Sequence, residues 1–361
     1  MRSSPRRWIW PVADKLAALV ICPGRGTYGK AELGYLRRLH SDKSALIGTA
    51  DRIRSERGQP TISELDGAER FSPALHTRGD IASPLIFTAS LADFLAIDRS
   101  RYDIAAVTGN SMGWYTTLAV AGAVSAEHGF EIVDAMGENS QAGEPGGQVL
   151  LTLVDDDWHE VPGLRERVLA LVQTIGSRTG HALFSSIDLG GMLVLAGNEA
   201  GLETLLKEAP PTPGREPLRL VNHGPFHTPL MRESSGRALS QLPAGWFDTP
   251  AIPMVDGRGH IWRPLASDPG ALHHYTFATQ VLETYDFTRA VQVATLEYAP
   301  DRIILLGPGD TLGGAIAQAL IAIEWRGLRS KRDFQEMQAS SPILLAMGRE
   351  DQRTLVTGAS R

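Results

Sequence analysis

Residues 105–124 read AAVTGNSMGWYTTLAVAGAV. An apolar run gives way to helix-forming residues across G-N-S-M-G, which predicts a β-strand, a tight turn and a helix, with Ser111 at the apex of a G-x-S-x-G motif. Gly109 and Gly113 allow the strained turn and the close packing beneath it. The serine hydroxyl is then held out toward a substrate. Serine is a poor nucleophile at neutral pH, so the rest of the chain must supply a base and a pair of donors for the charge that develops on an attacked carbonyl.

Two other stretches offer these. LVNHGPFHTPLM, residues 220–231, has His227 directly before Thr228-Pro229, where a helix would start, and CPGRGTYG, residues 22–29, is a glycine loop at the end of the apolar run LAALVIC. Around these stretches the chain is ordinary. It has 361 residues, 43% of them hydrophobic, enough for one large core and a smaller unit, and its net charge of −6 argues against nucleic acid as the main partner. The single cysteine, Cys22, leaves no disulfide framework or thiolate cluster for zinc; it fits a reducing cytosol and reads as a buried structural thiol. No run reaches the length of a membrane span, and residues 1–15 read as an extension into the first strand rather than a secretory signal.

Along the chain, KAELGYLRRL has helical spacing and residues 41–78 read as a loosely helical excursion. ASPLIFTASLADFLAI reads as a helix with Pro84 in its first turn, and AVSAEHGFEIVDAMGENSQ as a further helix. After AGEPGG the order becomes strand (148–154), helix (164–174), two strands around ALFSSIDLGGMLVLAG, helix (200–208) and strand (217–222). That βαββαβ order predicts a ferredoxin-like unit inserted into a larger α/β domain, to which AIPMVDG and RIILLGPGD add strands of a parallel sheet.

Four motifs in order, CPGRGTY, GNSMGWY, FHTPLM and LLGPGDTL, spread between about residues 17 and 322, resemble the malonyl-CoA:acyl carrier protein transacylases and the acyltransferase domains of fatty-acid and polyketide synthases. The resemblance implies an α/β-hydrolase-like large domain, residues 1–142 and 223–361, and a ferredoxin-like small domain, residues 143–222. It implies an acyl-CoA:acyl carrier protein S-acyltransferase of the cytoplasm, with acyl-CoA as substrate and no permanently bound cofactor. Ser111 would be the acylated nucleophile and His227 its base. The main-chain N–H groups of Arg25 and Met112 would form the oxyanion hole, and a main-chain carbonyl near Gln280 in FATQVLETYDF would orient the histidine.

The sequence departs from that family in the acyl pocket. Met136 stands where malonyl-using members carry an arginine that clamps a carboxylate, and no arginine lies between Trp114 and Leu164, which points to an uncharged acyl group. Asn110 replaces a histidine, while Phe226 matches a pocket-narrowing phenylalanine and argues for a small acyl group. Arg25 either supplies the missing charge or is a solvated loop residue. A serine hydrolase and a lapsed, carrier-docking subunit are the competing readings. His223 and His227 have the spacing of a metal pair, but Gly224 and Pro225 disfavour the helix that would align them. His273-His274 reads as a surface pair, and Arg326, Arg329, Lys331 and Arg332 as a solvated charge run or a face for an acidic carrier. TLVTGASR reads as an unstructured tail.

Overall fold

The computed structural model describes residues 15–140, 145–212 and 215–358. The expected extension at 1–15 lies outside them apart from Lys15, as does the expected domain boundary at 142/143.

Strand β1 (Leu16–Cys22) is the run that the sequence marks as buried, and Ala18 to Cys22 are each 0% exposed because both faces are covered. β2 (Tyr102–Gly109) lies parallel to it, with Leu16 opposite Tyr102 and Cys22 opposite Gly109. The two strands therefore end side by side, and the glycine loop after β1 meets the Ser111 turn after β2. β7 (Met254–Val255), β10 (Arg302–Leu305) and β11 (Leu344–Ala346) extend the parallel sheet, and β8 (Ile261–Trp262) closes one edge antiparallel, in the order β11-β10-β1-β2-β7-β8.

The second sheet takes β3 (Gly147–Thr152), β4 (Leu183–Leu189), β5 (Met192–Gly197) and β6 (Leu218–Arg219) in the ferredoxin-like order β6-β3-β5-β4. A fifth strand, β9 (Tyr285–Asp286), joins β4 in parallel from the far part of the chain, an addition that the four-strand reading lacked. Alternation gives this sheet two different faces. Val149, Leu151, Leu193 and Leu195 pack under the helices Leu164–Gly176 and Glu199–Glu208 as a separate small core. Val194 and Ile187 join the main core, and Gln148 and Ser186 are buried polar residues set between those apolar positions. The fold is thus an α/β-hydrolase-like sheet with a ferredoxin-like subdomain.

Several expectations need correction. Pro84 lies well inside the helix Gly79–Ala96 rather than in its first turn. Proline leaves the Asp80 carbonyl without its helical N–H, and the Arg54 Nη1 donates to it instead at 3.1 Å. Arg54 comes from the regular 13-residue helix Ser44–Glu56, in the stretch that was expected to be only loosely helical. The Gly79–Ala96 helix is apolar and long enough to cross a membrane by composition, yet it is buried within the protein. His273 is buried, not at the surface, and its Nε2 donates to the Leu242 carbonyl at 2.8 Å. The expected tail contains the last turn of the helix Glu350–Thr357, held down by the buried Val356 and by Arg353, which pairs with Asp93.

Candidate active site

Ser111 occupies the left-handed region at φ 53°, a conformation that costs a non-glycine residue about 1–2 kcal/mol. The glycines around it make the turn possible. A Cβ on Gly113 would stand 2.3 Å from the Cys22 carbonyl oxygen, and one on Gly109 2.5 Å from the Gly113 carbonyl. Asn110 N–H donates to that same Cys22 carbonyl at 3.0 Å, tying the two loops together. Cys22 itself is a buried thiol, pushed up to about 12 by burial.

The Ser111 Oγ lies 2.7 Å from His227 Nε2, and His227 Nδ1 lies 2.6 Å from the main-chain oxygen of Gln280. A carbonyl only accepts, so Nδ1 carries the proton and Nε2 is free to accept from the serine hydroxyl. Gln280 also braces the serine: its Nε2 donates to the Ser111 carbonyl at 3.1 Å, while the Tyr115 hydroxyl donates to its Oε1 at 3.3 Å. Burial lowers the His227 pKa from 6.5 to about 4, with the Gln280 carbonyl opposing, so the imidazole is neutral at pH 7.

His227 is itself at φ 58°, and the small sheet holds its loop in place. Gln148 Nε2 donates to Ser186 Oγ at 2.7 Å, and Ser186 Oγ donates to the Phe226 carbonyl at 2.8 Å. The Gln148 Oε1 accepts from His223 Nδ1 at 2.7 Å. His223 thus anchors the loop; burial first, then the nearby Arg25 charge, lower its pKa to about 3. Sequence reasoning missed Gln148 and Ser186. Their only signal was a polar side chain at a buried position in each of the strands GQVLLT and LFSSIDL.

Among the described residues, the main-chain N–H groups of Arg25 and Met112 donate to no protein acceptor. Met112 immediately precedes the helix Gly113–Val120, so its N–H sits at the positive end of that helix dipole. A Cβ on Gly24 would stand 2.7 Å from the Asn110 carbonyl oxygen, which shows how closely the two loops approach.

A cavity of about 60 Å³ opens beside Ser111 and His227, lined among others by Met112, Met136, Gly137, Phe226 and Arg25. It has room for only a few water-sized spheres. Asn110 is the exception among the expected pocket residues: it lies beneath Gly24 and does not line the cavity. Arg25 does not point away into solvent. Its Nη2 donates to the carbonyls of Thr77 at 3.0 Å and Asn222 at 2.6 Å, and its guanidinium lies 5.5 Å from the Phe226 ring centre. Burial lowers its pKa to about 10, so it stays charged at neutral pH. The carboxy-terminal basic run is engaged within the chain: Arg326 donates to the Pro300 carbonyl, Arg329 pairs with Glu324 and Arg332 with Glu336.

The two sheets and their order match the fold of solved malonyl-CoA:acyl carrier protein transacylases. The malonyl-CoA:acyl carrier protein transacylase of Xanthomonas oryzae pv. oryzae superimposes with a TM-score of 0.72 at 20% identity, covering 97% of this chain and 100% of that one. A malonyl-transacylase solved in complex with a type II polyketide synthase acyl-carrier protein gives 0.72 at 16% identity, over 96% of this chain and 100% of that one. In sequence, a type I polyketide synthase of phenolphthiocerol synthesis from Mycobacterium marinum is 24% identical over 316 residues, 84% of this chain. The chain spans 14% of that synthase's length. No protein-family model matches. In sequence, at 24% identity or less, and in fold, the chain is similar to the malonyl-CoA:acyl carrier protein transacylases and to a polyketide synthase.

Proposed function

We propose that this chain is an acyl-CoA:acyl carrier protein S-acyltransferase working through an acyl-Ser111 intermediate. The observation that carries this reading is the relay from Ser111 Oγ through His227 to the Gln280 carbonyl, set beside two unengaged main-chain N–H groups. His227 Nε2 takes the hydroxyl proton as Ser111 Oγ attacks the thioester carbonyl. The resulting oxyanion accepts from the N–H groups of Arg25 and Met112, a contact of a kind worth about 3–4 kcal/mol per donor. The C–S bond then breaks, the histidine returns its proton to the departing thiolate, and the acyl group remains on the serine as an ester.

The phosphopantetheine thiol of a carrier protein reverses the sequence: it gives its proton to His227, attacks the ester and leaves with the acyl group while Ser111 is reprotonated. Each step uses the chain's own groups and needs no resident cofactor. The carrier protein as acceptor is supported by the solved relative that is bound to one.

The test is CoA release from a panel of acyl-CoAs, with and without holo-carrier protein. A transferase gives one equivalent of CoA per enzyme without the carrier and sustained release with it. Sustained release without a carrier would make the protein a hydrolase.

A further inference from the structure

Among the described residues, the Nε and Nη1 of Arg25 are buried and have no hydrogen-bond partner, and no carboxylate lies within ion-pair distance of its guanidinium. A buried cation without a counter-charge is costly, and folds usually complete one with an acidic side chain. Here Nη2 is tethered to two carbonyl oxygens, which fixes the group in place without neutralising it. The neighbouring Asp80 is committed to Arg78, which donates to it through Nε and Nη2.

The position of the guanidinium is as informative as its lack of a partner. Nη1 lies 3.3 Å from where a Cβ on Gly79 would stand, and the same point is 3.2 Å from the Gly137 carbonyl oxygen. The nearest atom to that point is the Ser140 hydroxyl oxygen at 2.3 Å, so glycine at 79 leaves room first for Ser140, with the guanidinium lying beside it at the helical turn that carries Met136. Arg25 and Met136 line one cavity with Ser111 and His227, and among the described residues of that lining Arg25 is the only one with a permanent charge. The cavity is small and otherwise built from apolar and neutral polar side chains.

We infer that Arg25 determines the acyl group: its main-chain N–H serves the oxyanion while its guanidinium meets a carboxylate at the far end of a short acyl chain, such as malonyl. The inference rests on the acyltransferase reading and deepens it. The pocket's positive charge thus comes from the loop after β1 and not from the helix that carries Met136, so an uncharged residue at 136 does not make the site one for neutral acyl groups. The distance between thioester and carboxylate then sets the chain length, with the reacting carbonyl at Ser111 and the carboxylate beside Gly79 and Gly137.

The experiment compares acylation of the full-length protein by malonyl and butyryl thioesters, each as CoA and as N-acetylcysteamine derivatives that lack the nucleotide phosphates. The wild type should favour malonyl, and Arg25→Gln should reduce the malonyl-to-butyryl ratio of kcat/KM by roughly 30-fold or more, with Arg25→Lys recovering part of it. The loss should appear equally with both kinds of thioester. A wild type that prefers butyryl overturns the inference without a variant having to fold. So does an Arg25→Gln that slows both donors equally, or one whose effect is confined to the CoA esters, which would assign the guanidinium to the phosphates. Those results leave acyl transfer standing, whereas no acyl-serine from any donor brings down both readings.

Discussion

Arg353, which is buried, and Arg25, whose Nε and Nη1 are buried, carry two guanidiniums that the fold treats in opposite ways. Arg353, from the helix Glu350–Thr357, meets Asp93 and the hydroxyl of Tyr35, and His40 bonds the same carboxylate oxygen. Burial pushes the Asp93 carboxyl up, but the His40 hydrogen bond and the Arg353 charge prevail and hold it below the usual range. Arg25 is held by two carbonyl oxygens and lies against the Phe226 ring, with no carboxylate in ion-pair contact among the described residues, and it faces a cavity. A cation that serves the fold is neutralised within the fold; one left without a counter-charge beside a reactive serine is what an anionic ligand would complete.

The two arginines separate in their predicted consequences. Ser111→Ala should have the largest effect, lowering acyl transfer by 10³-fold or more, as removal of a nucleophile does, without loss of folding. Arg353→Ala should leave the buried Asp93 carboxylate to the hydrogen bonds of His40, Tyr35 and Gly307 without the guanidinium charge, lowering stability by about 3–5 kcal/mol in denaturant titration. Arg25→Met should leave stability unchanged or raise it, because the change removes a largely desolvated charge that is in ion-pair contact with no carboxylate among the described residues. Equal destabilisation by the two substitutions would break the contrast. Gln148→Ala should loosen the His223 and Ser186 contacts and slow acylation about 10-fold, with a stability cost of about 1–3 kcal/mol.

The smallest effect is on pH dependence. His227 titrates at about 4 in the folded chain, against 6.5 for a free imidazole. Its neutral form is favoured by folding, so the associated stability is fully present above pH 6.5 and is lost as pH falls toward 4. Acylation kcat/KM should therefore stay flat through pH 6 and fall only as pH approaches 4; an acid limb centred near 6.5 would contradict the buried, neutral base.

The readability of this protein from sequence followed locality. The continuous apolar run of β1 and the glycine-serine-glycine turn after β2 are local features with strong steric demands and form as those features imply, whereas the meeting of Ser111 with His227 and the Gln280 carbonyl was expected only from the family resemblance. The ferredoxin-like order was legible because its elements follow one another in the chain. What was hidden depends on contacts between distant segments. The direction of the Arg25 side chain depends on carbonyls at Thr77 and Asn222, far away in sequence. The helical fate of residues 354–357 depends on Asp93, and the position of Pro84 inside a helix on Arg54. Asn110 misled because it adjoins the nucleophile in sequence while its side chain lies under Gly24.

The central claim is that folding makes the Ser111 hydroxyl a reactive acyl acceptor. The most direct measurement is to mix the protein with excess acyl-CoA, omit the carrier, quench in acid and locate the added mass by peptide mapping. The account predicts one acyl group per chain, on the peptide that contains Ser111, and none in His227→Ala at the same time point. An acyl group on another residue, or unchanged labelling of Ser111 without the histidine, would contradict it.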